Sequence, residues 1–191
     1  MIPQYTASSP FGDDVFSHLI NDIDWLEVTA NRKEYFMANE TIEYQYGTDP
    51  IGKDGLPIFF GKRTYRSSPY SRQIKAIEDY LNEEFKCNYN VCFLNRYDDA
   101  RCGLGWHADD SPEMNPLHPI AVVSFGAERE IWWKGKEEKG TVPPHQRQSL
   151  GSGSIFIMPA GFQADNLHRI PKSDKPCSIR CSLTFRNYSL P

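Results

Sequence analysis

The sequence predicts a mainly β protein with flanking helices and a jelly-roll core of the double-stranded β-helix kind. From Cys92 onward the chain is a series of short β-type runs separated by turn residues, and two amphipathic helical stretches precede them. Aromatics at 13% and 14 prolines suit a β-rich body with many turns better than a helical bundle. Many short strands at even spacing, with two helices able to cover one sheet, point to a double-sheet body rather than a parallel α/β sheet. A length of 191 residues with 39% hydrophobic content fits one domain over 1–191 that needs no covalent staples.

Ser9-Pro10 is a helix-start signal, because serine caps free amides and proline in the first turn sacrifices no hydrogen bond. Asp13 and Asp14 complement the helix dipole. Val15, Phe16, Leu19, Ile20 and Ile23 recur at helical spacing, which predicts an amphipathic helix over about 10–22 packed on a sheet. Between Asn39 and Ser68, tyrosines and phenylalanines mix with glycines and prolines, predicting loops and short ribbons. Ser68-Pro69 repeats the start signal, and Ile74, Ile77, Leu81 and Phe85 give a second helix over about 69–86. The strand runs then follow as CFLNRY, GWHAD, PIAVVSFG, REIWWK, RQSLG, SIFIMP and SIRCSLTFRNY. Trp132 and Trp133 must point to opposite faces of their strand, and both are assigned to packing or surface.

A net charge of −4 argues against coating nucleic acid through bulk electrostatics, so any such contact must be local. No apolar run approaches the ~20 residues that span a bilayer, and the start of the chain lacks the regions of a signal peptide. The expectation is a soluble intracellular protein with no membrane partner. Cys87, Cys92, Cys102, Cys177 and Cys181 are odd in number and lack CxxC spacing, which predicts free thiols.

The chemistry centres on Trp106-His107-Ala108-Asp109. Residues two apart on a strand share a face, so one imidazole and one carboxylate converge. His168 follows the SIFIMP strand, where a returning chain can bring a second imidazole to the same spot. Two histidines and one carboxylate make a facial triad, which suits iron(II) with open positions rather than a closed zinc site. His18, His118 and His145 lie in a helix or beside loop prolines and are read as non-ligands. On the C-terminal strand Arg180, Ser182, Thr184 and Arg186 share one face, while Ile179, Cys181, Leu183 and Phe185 take the other. Two arginines on one face suit a dicarboxylate such as 2-oxoglutarate. Asn95 and Tyr97 share a strand face upstream.

These residues resemble the AlkB-type Fe(II)/2-oxoglutarate dioxygenases that repair N-alkylated bases. The matching motifs run in order over roughly 40–188: NRY at 95–97, WHADD at 106–110, VVSFGAER at 122–129, QADNLHR at 163–169 and RCSLTFR at 180–186. The resemblance implies that His107, Asp109 and His168 bind Fe(II), that Arg180, Asn95 and Tyr97 hold 2-oxoglutarate, and that Arg186 sits near its metal-binding end. Ser182 stands where the repair enzymes commonly carry Asn and can still donate a hydrogen bond. Tyr46 and Gly47 resemble the family's substrate-loop pair, with the Tyr46 ring bordering a flipped base and His107 on its other side. Trp106 and Asp110, flanking the ligand pair, are assigned to substrate contact. Residues 1–90 would then supply supporting helices and a substrate-recognition region at about 39–68, and 91–188 the catalytic jelly roll.

The implied activity is oxidative dealkylation of bases such as 1-methyladenine and 3-methylcytosine in DNA or RNA. It consumes O2 and 2-oxoglutarate and releases formaldehyde, succinate and CO2. The substrate would be single-stranded or have its base flipped out, and the enzyme would act as a monomer. The alternative keeps the iron centre and changes the substrate to a protein side chain or small molecule.

Overall fold

The computed structural model describes residues 2–46, 63–137 and 146–189. In chain order the elements are β1 (Gln4–Thr6), α1 (Asp13–Asn21), β2 (Leu26–Thr29), β3 (Arg32–Ala38), β4 (Glu43–Tyr46), β5 (Arg63–Arg66), β6 (Ser68–Pro69) and α2 (Arg72–Phe85). There follow β7 (Val91–Tyr97), β8 (Leu104–His107), β9 (Ile120–Gly126), β10 (Arg129–Gly135), β11 (Gln146–Leu150), β12 (Ile155–Met158), α3 (Phe162–Asp165), β13 (Asn166–Ile170) and β14 (Arg180–Arg186).

Both long helices begin later than the serine-proline signals predict. Gly12 stands at the N-cap of α1, with no side-chain cap. Phe11, held edge-on against Tyr80 of α2 at 5.5 Å, fixes the chain just before it. Ser68-Pro69 pairs in parallel with Met37 and Ala38, and the Ser68 hydroxyl bonds that of Tyr35 at 2.7 Å. The α2 cap therefore passes to Ser71, whose hydroxyl accepts from the Ile74 amide. A tertiary contact overrides the local capping preference in each case.

An eight-stranded sheet runs β1-β12-β9-β14-β7-β3-β2, with β6 added on β3. A four-stranded sheet runs β11-β10-β13-β8, and β4 pairs with β5 separately. Residues 2–38 thus add three strands to the large sheet, beyond the helices expected of that half. None of the three was legible as a run.

The large sheet is buried on both faces, and alternation assigns the side chains. On one face Leu94, Val123, Leu183 and Phe185 meet Val15 and Leu19 of α1 and Ile74, Ile77 and Leu81 of α2. Each such fully buried aliphatic chain contributes ~1.5–3 kcal/mol. On the other face Val122, Phe156 and Met158 pack on Ile131, Trp133, Leu150 and Ile170 of the small sheet. The result is a helix layer, a large sheet and a small sheet, the jelly-roll arrangement that the strand pattern predicts. Trp133 enters the space between sheets, 5.5 Å from Phe156, while Trp132 on the outer face lies 4.5 Å from the Arg169 guanidinium. No helix among the described residues is long and apolar enough to cross a membrane.

Gly126 ends β9 at φ +85°, and a Cβ there would lie 2.3 Å from the Ile179 carbonyl and 2.7 Å from the Phe16 ring. Gly126→Ala combines left-handed strain with a backbone clash. It is expected to destabilise the fold by at least ~2 kcal/mol in urea unfolding. An unchanged midpoint would show that the turn relaxes freely.

Candidate active site

The small sheet brings the two histidines together. His168 of β13 stands directly opposite His107 of β8 in register, with ring centroids 4.2 Å apart. Asp109 arrives by a different route from the one strand alternation predicts, because β8 ends at His107 and the carboxylate comes from the segment after it. The Gln163 side-chain oxygen of α3 accepts a hydrogen bond from the Asp109 amide at 3.0 Å and holds that segment in place. Asp109 Oδ1 lies 3.7 Å from His107 Nε2, and Oδ2 lies 4.0 Å from His168 Nε2. One ligand atom from each of the three residues falls within 4.8 Å of the others, which is the spacing of a metal site.

Electrostatics prepare these groups as ligands. Burial opposes ionisation of Asp109, but Arg186 at 2.8 Å and the two imidazoles hold its carboxyl well below the usual carboxylate range. Burial and the neighbouring His107 imidazole push His168 down to about 3, against the pull of Asp109, so the ring is neutral with its lone pair available. His107 Nδ1 lies 2.9 Å from the Gly105 carbonyl, a contact that places the proton on Nδ1 and leaves Nε2 to face the site. The donor set of two imidazoles and one carboxylate suits Fe(II), and Asp109 Oδ2 has no hydrogen-bond partner.

The facing surface comes from the large sheet, where register sets out rows. Tyr97, Arg180 and Gly126 make one row across β7, β14 and β9; Asn95, Ser182 and Ser124 make the next, which Glu34 extends onto β3. Arg180 is 0% exposed. Its Nη2 donates to Ser124 Oγ at 3.0 Å, but Nε and Nη1 have no hydrogen-bond partner. Burial lowers the Arg180 pKa, against the opposing influence of the Tyr97 phenol beside it. A buried cation with two unpartnered donors fits a bound carboxylate. A cavity joins Tyr97, Arg180 and Ser182 to His107, Asp109 and His168, so an anion held there reaches the triad.

Two expected substrate contacts, Trp106 and Asp110, are not brought to this centre. Trp106 lies on the opposite side of β8 from His107, its ring 4.8 Å from the Arg169 guanidinium and 5.0 Å from Lys134 Nζ. Adjacent strand residues cannot share a face, so Trp106 faces the outer surface rather than the triad. Asp110 is exposed and pairs with Lys136 at 3.4 Å. Tyr46 ends β4 opposite Arg63, and Gly47 lies outside the described residues. Conversely, Arg32, Glu34, Ser124 and Gln163 belong to the site and were not singled out. Ser124 and Gln163 lie inside quoted motifs, which was their only signal.

Gln163→Met removes the acceptor that orients Asp109 while keeping the side chain's bulk. Divalent-metal affinity, measured with redox-inert Mn2+, is expected to fall about tenfold or more, as for other groups that orient a ligand. Unchanged affinity would mean that the segment after β8 is held by other contacts.

Residues 12–186 match the 2OG-Fe(II) oxygenase superfamily. The chain is 28% identical over 182 residues to the DNA oxidative demethylase ALKBH2 of Homo sapiens, covering 93% of this chain and 69% of that protein. It is 28% identical over 180 residues to the alpha-ketoglutarate-dependent dioxygenase alkB homolog 3 of Bos taurus, covering 91% and 60%. The chain therefore spans about two thirds of the length of these relatives. A solved structure described as that of OsALKBH1 superposes with a TM-score of 0.50 at 16% identity, over 82% of this chain and 78% of that one, a likeness of fold.

Proposed function

Because the chain belongs to the 2OG-Fe(II) oxygenase superfamily, we propose that it oxidatively dealkylates N-alkylated nucleobases of the 1-methyladenine and 3-methylcytosine type in DNA or RNA. The observation that carries the reading is the His107, Asp109 and His168 cluster opening on the buried Arg180, together with relatives named as demethylases over nine-tenths of the chain. His107, Asp109 and His168 would hold Fe(II). Arg180, Tyr97, Asn95 and Ser182 would bind 2-oxoglutarate, with Arg186 near its metal-binding end.

When bound, Fe(II) with 2-oxoglutarate and O2 supplies hydroxylation of the alkyl carbon, coupled to decarboxylation of the co-substrate to succinate; the hydroxymethyl base then releases formaldehyde. The chain's own residues position and insulate. Arg180 fixes one carboxylate through paired donors, and the small-sheet side chains Ile131 and Ile170 close the space behind the histidines against water. Arg186 neutralises Asp109 and keeps it an acceptor throughout. A base stacked in a duplex cannot reach this recessed centre, so the enzyme, acting as a monomer, takes single strands or flips the nucleotide at a cost of a few kcal/mol.

The test is an anaerobically reconstituted Fe(II) assay on methylated oligonucleotides, reading loss of the methyl mass with and without 2-oxoglutarate. Loss that requires 2-oxoglutarate is expected. Succinate formation without any change in the base would move the substrate to a protein or small molecule.

A further inference from the structure

A second cavity shares His107, Asp109, Asn95, Leu104 and Arg186 with the co-substrate cleft but extends the other way, to Arg32, Glu34 and Phe93. Since Arg180, Tyr97 and Ser182 line only the first, this second space is where a molecule other than the dicarboxylate approaches the triad. Among the described residues its one carboxylate besides Asp109 is Glu34, 1% exposed. The Tyr65 hydroxyl donates to Glu34 Oε2, and Arg32 pairs with Oε1. Arg32 Nε also donates to Asn95 Oδ1 at 2.9 Å, tying Glu34 to the row that faces the co-substrate.

Burying a carboxylate is costly unless donors surround it, and the protein supplies donors from two sides. With a donor on each of its oxygens, the group is held as an acceptor beside the reacting centre. Among nucleobases, adenine and cytosine present an amino donor next to the ring nitrogen on the pairing edge, whereas guanine and thymine present an oxo group there. An oxo group facing Glu34 would set two acceptors against each other in a buried space. Alkylation of the ring nitrogen of adenine or cytosine also makes the base a cation, which a carboxylate attracts. Phe93 adds an apolar wall to the same cavity.

We infer that Glu34 reads the exocyclic amino group beside the alkylated nitrogen and makes the site selective for alkylated adenine and cytosine over alkylated thymine and guanine. The inference rests on the nucleobase reading above. Arg32 and Tyr65 are positioning residues that aim the carboxylate.

The experiment compares kcat/KM on single-stranded oligonucleotides carrying one 3-methylcytosine or one 3-methylthymine, which differ in amino against oxo at the ring position beside the methylated nitrogen. Wild-type protein is expected to favour 3-methylcytosine at least tenfold, and Glu34→Gln, which turns one acceptor into a donor, to shrink that ratio about tenfold or reverse it. No preference in the wild type, or a ratio unchanged in Glu34→Gln, overturns the inference. Should Glu34→Gln not fold, Tyr65→Phe loosens the carboxylate without removing it, and the ratio should fall at least threefold; an unchanged ratio there also overturns it. Wild-type protein acting on neither oligonucleotide sinks the nucleobase reading instead.

Discussion

His107→Ala is expected to lower 2-oxoglutarate-dependent turnover at least about a thousandfold, which corresponds to ~4 kcal/mol of lost transition-state stabilisation. With the ring gone, one imidazole and one carboxylate remain, and a facial site needs three ligands on one side of the ion. Mn2+ affinity should collapse in parallel. The fold should survive, because the His107 side chain is only partly buried at the end of a short strand and its Nδ1 bonds the nearby Gly105 carbonyl. Turnover within tenfold of wild type, with a melting temperature also unchanged, would place the metal elsewhere.

Arg180→Met should separate binding from stability. The native guanidinium is fully buried with two donors unpartnered, an arrangement that costs the empty protein free energy. A methionine of similar length removes that cost. The ligand-free protein is therefore expected to melt at the same temperature or higher. The KM for 2-oxoglutarate should rise at least about a hundredfold, since two charge-assisted hydrogen bonds of ~1.5–3 kcal/mol each are lost. If the KM moved less than threefold, Arg180 would be a structural cation and the dicarboxylate would lie elsewhere. A large fall in the melting temperature would contradict the view that its charge is strained without a ligand.

How much of this could be read beforehand depended on the strength of local pattern. In β14 the polar residues Arg180, Ser182, Thr184 and Arg186 alternate without a break against Cys181, Leu183 and Phe185, so both faces were legible, and the structure sends one to the cleft and the other to the helices. In β3 the run RKEYFMA opens on three charged residues and ends on an apolar block. Its inward Arg32 and Glu34 carry no local signal, because their partners Asn95 and Tyr65 lie far along the chain. The five-residue β13 was also missed, although His168 on it was expected to return to His107. For Asp109 the convergence was right and the reason incomplete: strand periodicity stops at His107, and a contact from Gln163, 54 residues away, completes the geometry. Trp106 adjoins the ligand pair in sequence, yet strand alternation turns it to the outer face.

The placement of β14 has a consequence for how the molecule comes into being. It follows every other strand in chain order, yet it lies between β9 and β7, in the middle of the large sheet. While the polypeptide is being made, the gap between β7 and β9 stays open until residue 186 is available to fill it. The large sheet, and with it the arginine-bearing wall of the cleft, is complete only once this keystone strand is in place.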